Sequence, residues 1–199
     1  MSDQDVRKFN ERAAHYETDW LGRTFHQQVQ RLTIDVASRI AADPSAILDV
    51  GCGTGSLLRM AGERFPGATR TGVDPAERMI AVAAGADPAA RLIVAPAEDL
   101  PFDEDEFDLV VSTNSFHNWP DQPAGIAGIG RVIRPGGTLV LVDPFAIGVL
   151  RPWAALIGKR NRMRTKADVE AMLDAAGLHA PHWAPVVGFV HAVTASSVR

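Results

Sequence analysis

Two short stretches hold the residue types that could do chemistry. In LDVGCGTGSL (48–57), Gly51, Gly53 and Gly55 alternate with Cys52 and Thr54, just after an apolar run that contains Asp49. So bare a turn lets a ligand reach the backbone, and the N–H groups at the start of a following helix can meet its polar atoms. Dinucleotide sites use G-x-G-x-x-G; here the spacing is G-x-G-x-G and Ser56 stands where the third glycine would be, which argues against a pyrophosphate. At the end of the next apolar run Asp74 can accept both hydroxyls of a ribose. Glycine turn plus acid implies a nucleoside ligand. Asp74 also precedes Pro75 and suits a helix N-cap, so both roles stay open. In FDLVVSTNSFHNW (107–119) His117 is the candidate catalytic base, the competing reading being a positioning or packing histidine.

The remaining reactive types exclude more than they offer. Cys52 is the only cysteine, which rules out an intramolecular disulfide and a Cys-based zinc cage. It suits a small residue in a tight loop better than a nucleophile. His179, His182 and His191 match no ligand spacing, so no metal is expected. DEDEFD (103–108) fits a solvated turn, and KRNRMRTK (159–166) a solvated basic linker more than a nucleic-acid patch. A formal net charge of −4 gives no general attraction to nucleic acid or an anionic membrane. No stretch approaches the roughly 18 apolar residues of a membrane span, and the N-terminus lacks an apolar core, so a cytoplasmic protein is the default expectation.

These residues need a frame to hold them, and the pattern supplies one. Short apolar runs at 46–50, 69–74, 91–95, 107–112 and 138–143 alternate with helical patterns, the sign of βαβ units. Helices are expected over 54–65 and 75–86. A weaker one spans 120–137, where Gly125, Gly128 and Gly130 lower propensity and Ile126, Ile129 and Ile133 must hold it by packing. Before the sheet, 24–42 has helical period, preceded by a polar helical stretch around 5–17. After it, Thr165 and Asp168 have capping-box spacing ahead of Met172, Leu173 and Ala176, and two strands close around Gly188. With 199 residues, 46% of them hydrophobic, one domain is expected: helices over 1–45, the core over 46–143, and an acceptor-side segment with the last strands over 144–199.

LDVGCGTG, GVDPAERM, AEDLPF, FDLVVSTNSFHNW and RVIRPGGTLVLVD, in that order, resemble the motifs of the class I S-adenosylmethionine-dependent methyltransferases, in particular the small-molecule branch with the ubiquinone/menaquinone type. FNERAAHYE is similar to that branch's lead-in. The resemblance implies that Gly51, Cys52, Gly53 and Gly55 hug the methionine part of S-adenosylmethionine while Asp49 orients its amino end. It implies that Asp74 holds the ribose, Met79 packs on adenine, Asp99 accepts from the adenine amino group, Ala97 and Glu98 line the base, and main-chain groups at Asn114 meet the cofactor's amino group. Each has a plainer competitor: Met79 as core, Asp99 as a turn residue. Phe116, Trp119 and Tyr16 could set aromatic faces near the cation.

The expected fold is α/β, Rossmann-like: a seven-stranded, mostly parallel sheet, helices on both faces, and a C-terminal antiparallel hairpin. The expected function is in-line methyl transfer to a small-molecule acceptor. The apolar FAIGVLRPWAALIG (145–158), with Trp153, suggests an aromatic or lipophilic acceptor, or else packing on the sheet or on a second subunit, which leaves a homodimer open. Neither nucleic acid nor membrane is an expected partner. A nicotinamide-dependent oxidoreductase and a non-catalytic cofactor-binding module are the alternatives.

Overall fold

The computed structural model describes residues 3–13, 20–146, 163–188 and 190–198. Residues 147–162, with Trp153 and the first half of the basic run, lie outside the described residues, as does Tyr16. Helices α1 (Asp3–Arg12) and α2 (Trp20–Ile40) precede β1 (Ala46–Val50), α3 (Ser56–Arg64), β2 (Thr69–Asp74), α4 (Glu77–Ala86), β3 (Arg91–Val94) and β4 (Phe107–Thr113). A 3-10 turn at Phe116–Asn118 leads to α5 (Gln122–Val132), β5 (Ile133–Pro144), α6 (Lys166–Ala175), β6 (Leu178–Val187) and β7 (Val190–Ser197).

The strands form one seven-stranded sheet in the order β3-β2-β1-β4-β5-β7-β6. β1 to β5 run parallel, and β7 lies antiparallel to both β5 and β6. Alternate residues serve opposite faces, as the two-residue strand period requires. Leu48, Val50, Val110, Leu139 and Leu141 pack with Ile126 and Ile129 of α5 and Val169 and Leu173 of α6. Ile47, Leu109, Val111, Val140 and Val142 pack with Val29 and Ala37 of α2 and Leu57 and Ala61 of α3. The sheet is covered on both faces, so the central strand β1, AILDV, is buried at every position.

Three local outcomes refine the sequence pattern. Helix α5 stops at Val132 because Pro135 cannot continue it, and β5 starts at Ile133 instead of 138. Phe107 pairs with Ile133 but Leu109 with Thr138, so an irregularity around Gly136 absorbs the extra residues. The glycines of α5 have a packing reason: a Cβ on Gly125 would come within 2.6 Å of the Trp119 ring, and one on Gly130 within 2.3 Å of the Ala176 carbonyl oxygen. The capping box of α6 forms as spaced, Thr165 and Asp168 bonding each other's backbone N–H.

At the edge where β1 begins, the Asp108 carboxylate accepts from the Ser45 and Ala46 N–H groups, the Ser45 hydroxyl and Arg134. One side chain from the acidic turn thereby joins the starts of β1 and β4 to the lead into β5.

Candidate functional site

The strand order reverses around β1: β2 and β3 lie to one side, and the chain then returns to place β4 on the other. Open α/β sheets bind ligands at such a point, beyond the carboxyl ends of the strands. A cleft opens there, lined by the turn after β1, the ends of β2 and β4, and residues of α1 and α2.

The glycine turn is held in a shape that other residues reach only with strain. Gly51, Gly53 and Gly55 have φ of 80°, 54° and 75°, in the left-handed region. Space is the second constraint at Gly51, where a Cβ would sit 1.9 Å from Ser115 Oγ. Gly51 and Cys52 N–H groups donate to the Val73 carbonyl, which clamps the turn to β2. Gly55 is the N-cap of α3 and faces Ala83, behind the cleft.

Asp74 ends β2 with both oxygens engaged: Gly53 N–H donates to Oδ2 at 3.0 Å and Ala76 N–H to Oδ1 at 2.8 Å. Asp74 therefore does not cap α4 in the usual way; Ala76 is the N-cap and carries no side-chain cap bond. Asn10 of α1 takes that task from a distance, accepting the Arg78 N–H at 2.9 Å. Each carboxylate oxygen keeps a second lone pair for a ligand hydroxyl. Burial pushes the Asp74 pKa up, and the two backbone donors only partly offset this. Asp49, buried beneath the turn, receives no hydrogen bond from a described residue on its carboxyl, and burial together with the nearby Asp74 pushes its pKa up to about 8. A buried acid with free acceptor capacity beside a second acid suits a cationic ligand group. Burial and the same two acids raise the Cys52 thiol, which makes it a poor nucleophile.

Of the residues singled out from sequence, Gly51, Cys52, Gly53, Asp74, Met79, Ala97, Glu98 and Asn114 line one cleft. Met79 is also core, packed with Ala13, Ala76 and Phe9. Asn114 has φ 53° and its N–H donates to the Val142 carbonyl. Asp99 is exposed in a turn closed by its own N–H on the Pro96 carbonyl, and it does not line the cleft. His117 stands behind the wall. Its Nδ1 meets Asp143 Oδ1 at 2.8 Å and its Nε2 meets Asn118 Nδ2 at 3.1 Å; Asn118 is the residue that faces the cleft. Burial pulls the imidazole pKa down, but attraction and the hydrogen bond to Asp143 outweigh it and the net direction is up. Asp143 is fully buried, and its Oδ2 has no hydrogen-bond partner among the described residues.

Sequence reasoning missed Phe9, His26, Gln30, Thr113, Ser115 and Asn118 as cleft residues. A signal existed for one pair: His26 and Gln30 have helical i,i+4 spacing beside the buried stripe Val29, Thr33, Ala37 of α2.

Comparison with known proteins finds methyltransferases. Residues 48–141 match a family described as a methyltransferase domain. The chain is 36% identical over 143 residues to nocamycin O-methyltransferase of Saccharothrix syringae, covering 68% of this chain and 50% of that protein. It is 37% identical over 118 residues to demethylmenaquinone methyltransferase of Thermus thermophilus, covering 57% and 53%. The chain thus spans about half the length of the curated relatives it matches. Its fold matches that of the methyltransferase in a complex with the Haloferax volcanii Trm112 methyltransferase activator, with a TM-score of 0.80 over 96% of this chain and 98% of that one at 19% identity.

Proposed function

We propose that this chain, whose residues 48–141 carry a methyltransferase domain, transfers the methyl group of S-adenosylmethionine to a small-molecule acceptor. One observation carries the reading: a left-handed glycine turn whose Gly53 N–H is bound to the acid ending β2, with a second buried acid beneath it. The cofactor supplies an already activated methyl group on a sulfonium, so the protein's task is mainly positioning. Asp74 would hold the ribose with its free lone pairs, and Ala97, Glu98 and Met79 would enclose the base. Asp49 and the Asn114 carbonyl would face the cationic amino end across the Gly51–Gly53 backbone.

Where the acceptor's nucleophile carries a proton, His117 is the proposed base. Asp143 on Nδ1 leaves Nε2 as the accepting nitrogen, and the acceptor must take the place of the Asn118 amide to reach it. A flat or lipophilic acceptor belongs to the same proposal, as does an assembly of two copies.

Isothermal titration tests the reading directly. S-adenosylmethionine or S-adenosylhomocysteine should bind and NAD should not; NAD binding alone would replace it with an oxidoreductase. Release of S-adenosylhomocysteine on addition of phenols, quinones, amines or fatty acids then separates a transferase from a binding module.

A further inference from the structure

Ser115 is the N-cap of the 3-10 turn Phe116–Asn118, yet its side chain makes no cap bond there. A serine in that position ordinarily accepts a backbone N–H. Here the hydroxyl accepts from the Trp119 indole instead, Nε1 to Oγ at 3.0 Å, and Ser115 lines the cleft. Building on the methyl-transfer reading above, we propose that the Ser115 hydroxyl, aimed by Trp119, donates a hydrogen bond to the carboxylate of the cofactor's methionine part.

The hydroxyl has the right place for this task. A Cβ built on Gly51 would fall 1.9 Å from Ser115 Oγ, so the oxygen fills the space that a side chain on the turn would take. It borders the Gly51–Gly53 backbone, along which the methionine part is proposed to run. The bare Cα of Gly51 thus makes room for a hydroxyl as well as for a ligand.

The mount is rigid. The Ser115 carbonyl accepts from the Asn118 N–H at 2.9 Å, and the Asn114 N–H ties the preceding residue to the Val142 carbonyl on β5 at 2.8 Å. Trp119 is buried, with its ring edge-on to Phe116 and centroids 5.3 Å apart. It also packs on Gly125 of α5, where a Cβ would come within 2.6 Å of the ring. A side chain locked by packing in this way holds its polar group to one direction.

Hydrogen-bond chemistry selects the ligand atom. A hydroxyl has one proton to give and two lone pairs, and a bond accepted from the indole polarises it toward giving that proton. The amino-acid end of S-adenosylmethionine carries an ammonium, which only donates, and a carboxylate, which only accepts. The carboxylate is the match, and a bond to a charged acceptor is about twice as strong as a neutral one. Asp49 and the Asn114 carbonyl, both acceptors, suit the ammonium beside it.

Isothermal titration with S-adenosylmethionine and with decarboxylated S-adenosylmethionine tests the contact, because the second probe keeps the nucleoside, the sulfonium and the ammonium. Ser115→Ala should weaken S-adenosylmethionine about tenfold and leave the decarboxylated form within about twofold, which also reports an intact cleft. Trp119→Phe keeps a ring and removes the N–H, so it should weaken S-adenosylmethionine about threefold. That loss should vanish when Ser115 is already alanine, since the indole acts through the hydroxyl. Equal loss of both probes in Ser115→Ala would make the serine structural and overturn the proposal. Unchanged affinity for S-adenosylmethionine in Ser115→Ala, or losses that simply add in the double variant, would overturn it too. If neither probe binds the unaltered protein, the methyl-transfer reading itself is what falls.

Discussion

The two ends of the cleft are built from different materials. At the end of β1 and β2 the walls are backbone: left-handed glycines, N–H groups tied to Val73, and a carboxylate pinned by two amides. Near the ends of β4 and β5 they are side chains that hold one another, Asp143 on His117 and His117 on Asn118, while Trp119 Nε1 donates to Ser115 Oγ at 3.0 Å. A backbone wall permits few substitutions, because it depends on conformations that only glycine adopts cheaply. A side-chain wall keeps its scaffold while its chemistry changes, which suits the part of a transferase that meets varied acceptors.

Substitution of the glycines should reveal that contrast most strongly. Gly51→Ala combines left-handed strain with the collision at Ser115 Oγ, so S-adenosylmethionine affinity in titration should fall by about 100-fold or more. Gly53→Ala carries strain alone, since nothing lies within 4 Å of its Cβ, and should lose about tenfold. Equal losses would deny Ser115 any part in shaping the turn. Next comes Asp74→Ala, which removes two charge-assisted hydrogen bonds to ligand and should cost at least about tenfold in affinity. It also frees the Gly53 and Ala76 N–H groups, so a lower melting temperature is expected. Unchanged affinity would make Asp74 a purely structural acid.

A smaller effect tests Asp49 by pH. Its carboxyl, pushed up to about 8, is largely protonated at neutral pH, while a cationic ligand favours the carboxylate. Binding should therefore release a proton, and affinity should rise by up to about tenfold per pH unit until pH approaches 8. Asp49→Asn should flatten that slope, with calorimetry in buffers of different ionisation enthalpy as the measurement. The smallest effect on the cofactor is expected from the other wall. Asp143→Asn should leave S-adenosylhomocysteine affinity within about twofold, yet lower the His117 pKa in a nuclear magnetic resonance titration, because burial would then act without the carboxylate that outweighs it. A large cofactor defect in Asp143→Asn would erase the distinction between the two ends.

That distinction also sets what was legible beforehand. β1 and β2 match the sequence pattern to the residue, and the glycine turn with its acid was readable because backbone geometry leaves a mark in residue type. The start of β5 was not, since the irregularity opposite Phe107 follows from pairing with β4 and not from local preference. His117 was visible as a histidine after a strand, but its placement behind Asn118 depends on Asp143, 26 positions away in the chain. Likewise, the i,i+4 pair on α2 could be seen as a helix face, whereas its approach to the turn after β1 depends on how α2 crosses the sheet. Asp99 shows the converse: its motif is plain in the sequence, whereas its exposure in the turn at Pro96 is not.

The Asp108 junction at the far rim gives the molecule a second electrostatic pole. Burial alone would raise that carboxyl, but the Ser45 hydroxyl, Arg134 and the two amides outweigh it and hold its pKa below the ordinary value of 3.8. A depressed acid lends stability above its unfolded pKa and withdraws it as pH falls through the folded one. Asp49 has the opposite sign: between its ordinary 3.8 and about 8 the folded chain keeps a proton that the unfolded chain has released, so its contribution declines as pH rises across that window. Acid thus loosens the floor of the sheet, where the strands are joined, and a rise in pH toward 8 loosens the mouth, where a ligand's positive charge can restore what was lost.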